Sequence, residues 1–69
     1  MNREPVSSSN IASIGYDSDS SVLEIEFHSG DVYQYFDVNE NVYKELFYSD
    51  SVGGYLAKNI KGIYRYSKV

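Results

Sequence analysis

Apolar and polar side chains alternate along this chain with two different periods, and each period predicts its own kind of element. Leu23, Ile25 and Phe27 alternate with Glu24 and Glu26, the signature of a strand with one dry and one wet face. Before it, Ile11, Ser13 and Gly15 alternate with Ala12, Ile14 and Tyr16. The run Asp17-Ser18-Asp19-Ser20 that follows is rich in side chains that bond back to their own backbone in turns, so the two strands form a hairpin. After the turn signal His28-Ser29-Gly30-Asp31, the aromatic stretch Val32 to Phe36 makes a third strand. Beyond Asp37 the rhythm changes. Val42, Tyr43, Leu46 and Phe47 repeat at helical spacing and predict a helix from about 39 to 48 with Asn39 as N-cap. Ser51 caps a second helix whose apolar stripe is Val52, Tyr55, Leu56, Ile60 and Ile63, ending at Gly62. Ile63 to Tyr66 return to a period of two, which fits either an extended tail that adds to a sheet edge or a frayed helical end.

The predicted class is α+β: a three-stranded antiparallel meander packed on two short C-terminal helices, with an optional extended C-terminal segment. Residues 1–9, with Pro5 and Ser7-Ser8-Ser9, carry no periodicity and read as an arm, mobile or laid across the domain, and residues 10–69 form a single domain. The register of the second hairpin decides where Tyr33 and Tyr35 point. A two-residue Ser29-Gly30 loop would set Phe27 opposite Val32 and display both rings beside the glutamates. A three-residue loop closed by a bulge at Gly30 sets Phe27 opposite Asp31, Ile25 opposite Tyr33 and Leu23 opposite Tyr35, which turns both rings toward the core. The second is preferred, because only it confines positive φ to glycine.

At 69 residues the chain buries only about 60% of its unfolded surface and has room for one core. Without cysteine it has no disulfide framework, no thiolate nucleophile and no Cys-based zinc site. No apolar run approaches the roughly 20 residues a membrane span needs, and Met1 to Pro5 lack the apolar core of a signal peptide, so a cytoplasmic protein without membrane partners is expected. Charge is segregated within a net of −4. Residues 17–50 hold nine acids against Lys44, whereas residues 51–69 hold Lys58, Lys61, Arg65 and Lys68 and no acid. An acidic whole argues against indiscriminate binding to phosphate backbones. The four C-terminal cations read either as solvated charges that attract the domain's own acidic half or as a local basic patch left free for a partner.

The order Pro5-Val6-Ser7-Ser8-Ser9-Asn10-Ile11, Tyr16, Leu23-x-Ile25-x-Phe27-x-x-Gly30, Tyr33-x-Tyr35-x-x-Val38 and Ile60-x-x-x-Tyr64-x-Tyr66 resembles the KTSC domain over residues 5–69. That family takes its name from the C-terminus of some lysyl-tRNA synthetases and also occurs as free-standing bacterial proteins, with a central Tyr-x-Tyr as its hallmark. The resemblance makes Tyr33 and Tyr35 the family-motif residues and implies a small module for which RNA binding has been suggested. Asn39 stands where the family commonly has Pro, and Leu56-Ala57 where it commonly has Phe-Asn.

Candidate chemistry is sparse. Eight tyrosines with no tryptophan invite a base-stacking surface, and Lys58, Lys61, Tyr64, Arg65, Tyr66 and Lys68 combine rings with cations as expected for RNA contact. Tyr43 and Tyr55 read instead as packing units. His28 is the sole histidine and reads as a solvated turn residue, with no second ligand to build a metal shell. Ser7 to Ser9 have no recognisable base, and Ser51-Val52-Gly53-Gly54 lacks the spacing of a nucleotide-binding loop. Glu24 and Glu26 read as a solubilising face. No catalytic set, cofactor or metal is predicted. The expected function is a non-catalytic binding module for RNA, with a protein partner or homodimer, met through the open sheet face or an edge strand, as the alternative.

Overall fold

In the computed structural model, which describes residues 1–69, seven elements follow one another: β1 (Arg3–Pro5), β2 (Ile11–Asp17), β3 (Val22–Phe27), β4 (Val32–Tyr35), α1 (Glu40–Phe47), α2 (Val52–Asn59) and β5 (Tyr66–Lys68). The strands form one antiparallel sheet in the order β1-β2-β3-β4-β5. The two helices lie between β4 and β5 in the chain and cover one face. Three central strands and both helices thus stand where the apolar rhythm puts them, and the sheet is wider than the expected meander by one strand at each edge.

Both additions have a local cause. The arm lies across the domain: Arg3, Glu4 and Pro5 stand opposite Gly15, Ile14 and Ser13, so residues 1–9 belong in part to the sheet rather than outside it. Gly15 makes the approach possible, since a Cβ there would lie 2.9 Å from both the Arg3 side chain and the Asn2 carbonyl. At the other edge the tail is extended, with Tyr66 opposite Tyr35 and Lys68 opposite Tyr33. Gly62, at φ +82°, turns the chain out of α2 toward this strand. Because α2 stops at Asn59, Ile63 leaves the predicted apolar stripe and is 66% exposed.

The β3–β4 hairpin has the three-residue loop. The Phe27 amide donates to the Asp31 carbonyl at 2.9 Å, Gly30 takes φ +98°, and Leu23 and Ile25 pair with Tyr35 and Tyr33. In β2 the alternation breaks at a bulge between Ile11 and Ser13, opposite Phe27 and Glu26. The extra residue lets Ile11 and Ile14, three apart, both face the core.

That core is Ile11, Ile14, Leu23, Ile25 and Tyr35 from the sheet, Val38 from the connection, Leu46 from α1, and Val52, Leu56 and Ile60 from α2 and its end. Each fully buried aliphatic side chain contributes about 1.5–3 kcal/mol. Both helices start on the predicted caps: Asn39 Oδ1 accepts from the Asn41 amide at 2.8 Å, and Ser51 Oγ from the Gly54 amide at 3.2 Å. No helix is long and apolar enough to cross a membrane.

On the face away from the helices, polar side chains satisfy one another. Glu24 accepts from Arg3 at 3.0 Å and from Gln34 at 2.9 Å, while Ser13 donates to Glu26 at 2.7 Å. The glutamates therefore stitch four strands together rather than only facing water.

Candidate functional site: a groove floored by tyrosine

Cross-strand neighbours share a face, so the registers place Tyr33, Tyr35, Tyr66 and Lys68 together on the helix side of the sheet. The Tyr66 ring lies 5.7 Å from that of Tyr33 and 5.8 Å from that of Tyr35, and Phe27 meets Tyr33 edge-on at 5.6 Å. The α2–β5 turn (Lys61, Gly62) stands over this floor on one side. On the other, the Ser9-Asn10 segment and the β3–β4 hairpin (His28, Ser29, Asp31) rise beside it. Together they enclose an open groove of about 690 Å³, a size that suits a small organic group.

The walls are held by specific bonds. His28 donates from Nε2 to the Ser8 carbonyl at 3.0 Å, and its backbone amide donates to Asn10. Exposed as it is, the ring ties the hairpin to the N-terminal segment. Ser8 Oγ accepts from the Asn10 and Ile11 amides, closing a short turn ahead of β2. No three His, Cys, Asp or Glu side chains converge as a metal-ligand group.

Hydroxyl use separates the tyrosines. Tyr16 donates to the Val38 carbonyl at 2.6 Å and Tyr55 to Glu45 at 2.7 Å, each fastening an element to its neighbour. The groove tyrosines make no such bond. Tyr35 is 3% exposed, yet no side-chain oxygen is sealed from solvent without a partner, so its hydroxyl opens at the groove. Burial, with Tyr33 and Tyr66 beside it, holds the Tyr35 phenol above its ordinary pKa and keeps it protonated.

The six residues expected to form one RNA-contact surface are not all together. Lys61 and Tyr66 line the groove, and Tyr66 is 59% exposed. Lys68 shares their face but pairs with Asp31 at 3.3 Å. Arg65 points the other way, toward Phe36, and its guanidinium pairs with Asp37 at 2.6 Å. Tyr64 packs against the core, and Lys58 is exposed on α2 outside the groove lining. The free basic tail is thus corrected: two of its four cations meet the domain's own carboxylates, and the strand's period of two splits Arg65 from Tyr66. These are exposed pairs of about 0–1 kcal/mol, which a competing anion can displace. Sequence reading did not find Ser9, Asn10 or His28 as groove walls, since only tertiary hydrogen bonds bring them there.

Similar proteins share this framework. An uncharacterized protein of Stutzerimonas stutzeri is 37% identical over 70 residues, spanning 100% of this chain and 99% of that protein. A lysine–tRNA ligase of Trichormus variabilis is 43% identical over 54 residues, which cover 78% of this chain but only 10% of the ligase. The crystal structure of a KTSC domain protein from Yersinia pestis superposes with a TM-score of 0.96 at 41% identity, covering 99% of this chain and 96% of that one. The KTSC domain model itself matches residues 7–66, taking in the groove floor from Tyr33 to Tyr66. With sequence and fold in agreement, this chain belongs to the KTSC domain family.

Proposed function

We propose that the domain is a non-catalytic binding module that holds one or two unstacked nucleotides of single-stranded RNA in the tyrosine groove. The observation that carries this reading is the exposed Tyr66 ring standing beside Tyr33 and Tyr35, with Lys61 on the rim. Stacking on such a ring contributes about 1–3 kcal/mol per base. The likeness of 54 residues to part of a lysine–tRNA ligase supports an RNA setting. With Lys61 free and Lys68 only loosely held, one or two phosphates are contacted, so the logarithmic salt dependence has a slope of about −1. Titration of labelled single-stranded RNA at low and moderate salt tests this. Tyr66→Ala is expected to weaken binding by about 5- to 150-fold, the range of one lost stack. Absence of binding at low salt removes the reading.

The unpaired outer edges of β1 and β5 support a second reading, self-association or strand addition by a protein partner. It ranks lower, because each edge strand has three residues and carries Pro5 or Lys68, features that blunt pairing. Light scattering across a concentration series, giving a monomer throughout, would remove the homodimer.

A further inference from the structure

We infer that the tyrosine floor of the groove is an oxyanion site, in which the hydroxyls of Tyr35, Tyr33 and Tyr66 receive the phosphate of a nucleoside monophosphate ester and Lys61 supplies the counter-charge. This rests on the groove being the ligand site, and it names what the floor of that site selects.

Tyr35 carries the inference. A side chain 97% removed from solvent ordinarily directs its hydroxyl to a protein acceptor, as Tyr16 does with Val38. Tyr35 has no such acceptor, although its ring is fixed between β3 and Tyr66, and its oxygen reaches solvent where the ring lines the groove. For packing alone, phenylalanine would serve there, with no hydroxyl left to face the groove. Tyr33, two residues along the same strand face, and Tyr66, directly across from Tyr35, likewise make no bond within the protein, so three neighbouring phenols without a protein partner line one groove.

The direction of these bonds follows from phenol chemistry. The ring withdraws the oxygen's lone pairs, so a phenol donates strongly and accepts weakly. Three of them together complement a group that only accepts, such as a phosphate. Burial and mutual proximity keep Tyr35 in the protonated, donating form. The one groove carboxylate, Asp31, is engaged by Lys68 and Ser29, whereas Lys61 pairs with no acid. The uncompensated charge on the lining is therefore positive, even on a chain of net charge −4.

The phosphate could come from the end of an RNA strand or from a free mononucleotide. Calorimetric titration of the full chain with adenosine, adenosine monophosphate, and a short single-stranded RNA with and without a 5′-phosphate separates the sources. Adenosine monophosphate should bind about tenfold or more tightly than adenosine, the effect of hydrogen bonds to a charged acceptor. Tyr35→Phe should erase most of that preference and leave the melting temperature unchanged. Lys61→Ala, fully on the surface, should reduce the same preference. Preference for phosphorylated RNA over adenosine monophosphate assigns the site to a strand end, and the reverse assigns it to a free nucleotide. Equal binding of adenosine and its monophosphate overturns the oxyanion site while the groove reading stands. A Tyr35→Phe protein that keeps the full preference also overturns it. Failure of every probe to bind removes both.

Discussion

Two strings of aromatic rings lie in this small fold, and they are used differently. One runs Tyr16, Tyr43, Phe47, Tyr48 between β2 and α1, opening with a parallel stack at 4.9 Å and 8°. The other runs Phe27, Tyr33, Tyr66, Tyr35 along β3, β4 and β5. In the first, the Tyr16 hydroxyl is fastened to Val38, and the Tyr43 phenol is held protonated by burial and then by the negative charge of Glu4 and Glu40. In the second, no hydroxyl is used within the protein, and the nearest unpaired charge on the lining is Lys61. Ring content alone does not mark a binding surface. Convergence of untethered rings on one groove and the sign of the neighbouring charge do.

The largest expected contrast is in stability. Tyr16→Ala removes a stacked, half-buried ring together with its tether to Val38 and should cost about 3 kcal/mol. Tyr66→Ala removes a ring that is 59% exposed, so its cost should stay below about 1 kcal/mol. Urea denaturation of the two variants gives both numbers, and equal losses would abolish the distinction between the strings.

A finer contrast removes only an oxygen. Tyr16→Phe leaves the Val38 carbonyl without its hydroxyl donor and should cost about 1–2 kcal/mol, whereas Tyr35→Phe should stay within about 0.5 kcal/mol of the parent. If the order reverses, the Tyr35 hydroxyl serves the fold and the groove loses its polar end.

The smallest effect is silent at neutral pH. Burial holds both Tyr35 and Tyr43 above the ordinary phenol pKa of 10.0. In the unfolded chain these phenols ionise at the ordinary value, while in the native state they keep their protons to higher pH. Their contribution is therefore fully present below pH 10.0 and is lost as pH rises through the native pKa of each. Alkaline melts should steepen above that point, and each Tyr→Phe variant should remove its own share. Ultraviolet titration of the phenolates assigns the shares. A parent whose stability is flat through this range would contradict the burial described for both rings.

Much of the architecture was legible because it is written in local pattern. Leu23, Ile25 and Phe27 alternate, Asn39 and Ser51 cap, and Gly30 is the one loop residue that takes positive φ without strain, which fixes the register and turns Tyr35 inward. What was not legible is held by partners distant in sequence. Arg3–Pro5 has no rhythm of its own and becomes a strand because Gly15 leaves room beside it. The β2 bulge carries no turn or breaker residue to announce it, only Ala12 between Ile11 and Ser13. Asp37 takes φ +58° and meets Arg65 28 residues away, a pairing that no short-range rule anticipates. The groove floor was half visible in Tyr33-x-Tyr35; its walls were not, since Ser9, His28 and Lys61 come from three separate turns.

The strand order has a kinetic consequence. From β1 to β4 each strand pairs with its predecessor in the chain, so those ladders zip by closing short loops, whereas β5 docks only after both helices have been threaded. Like β1 at the opposite edge, this exposed three-residue edge should fray early in native-state hydrogen exchange. Tyr66 rides on that edge. The pocket is therefore closed by a late-docking, easily opened strand, so any occupant should report its presence as slowed exchange of the C-terminal amides.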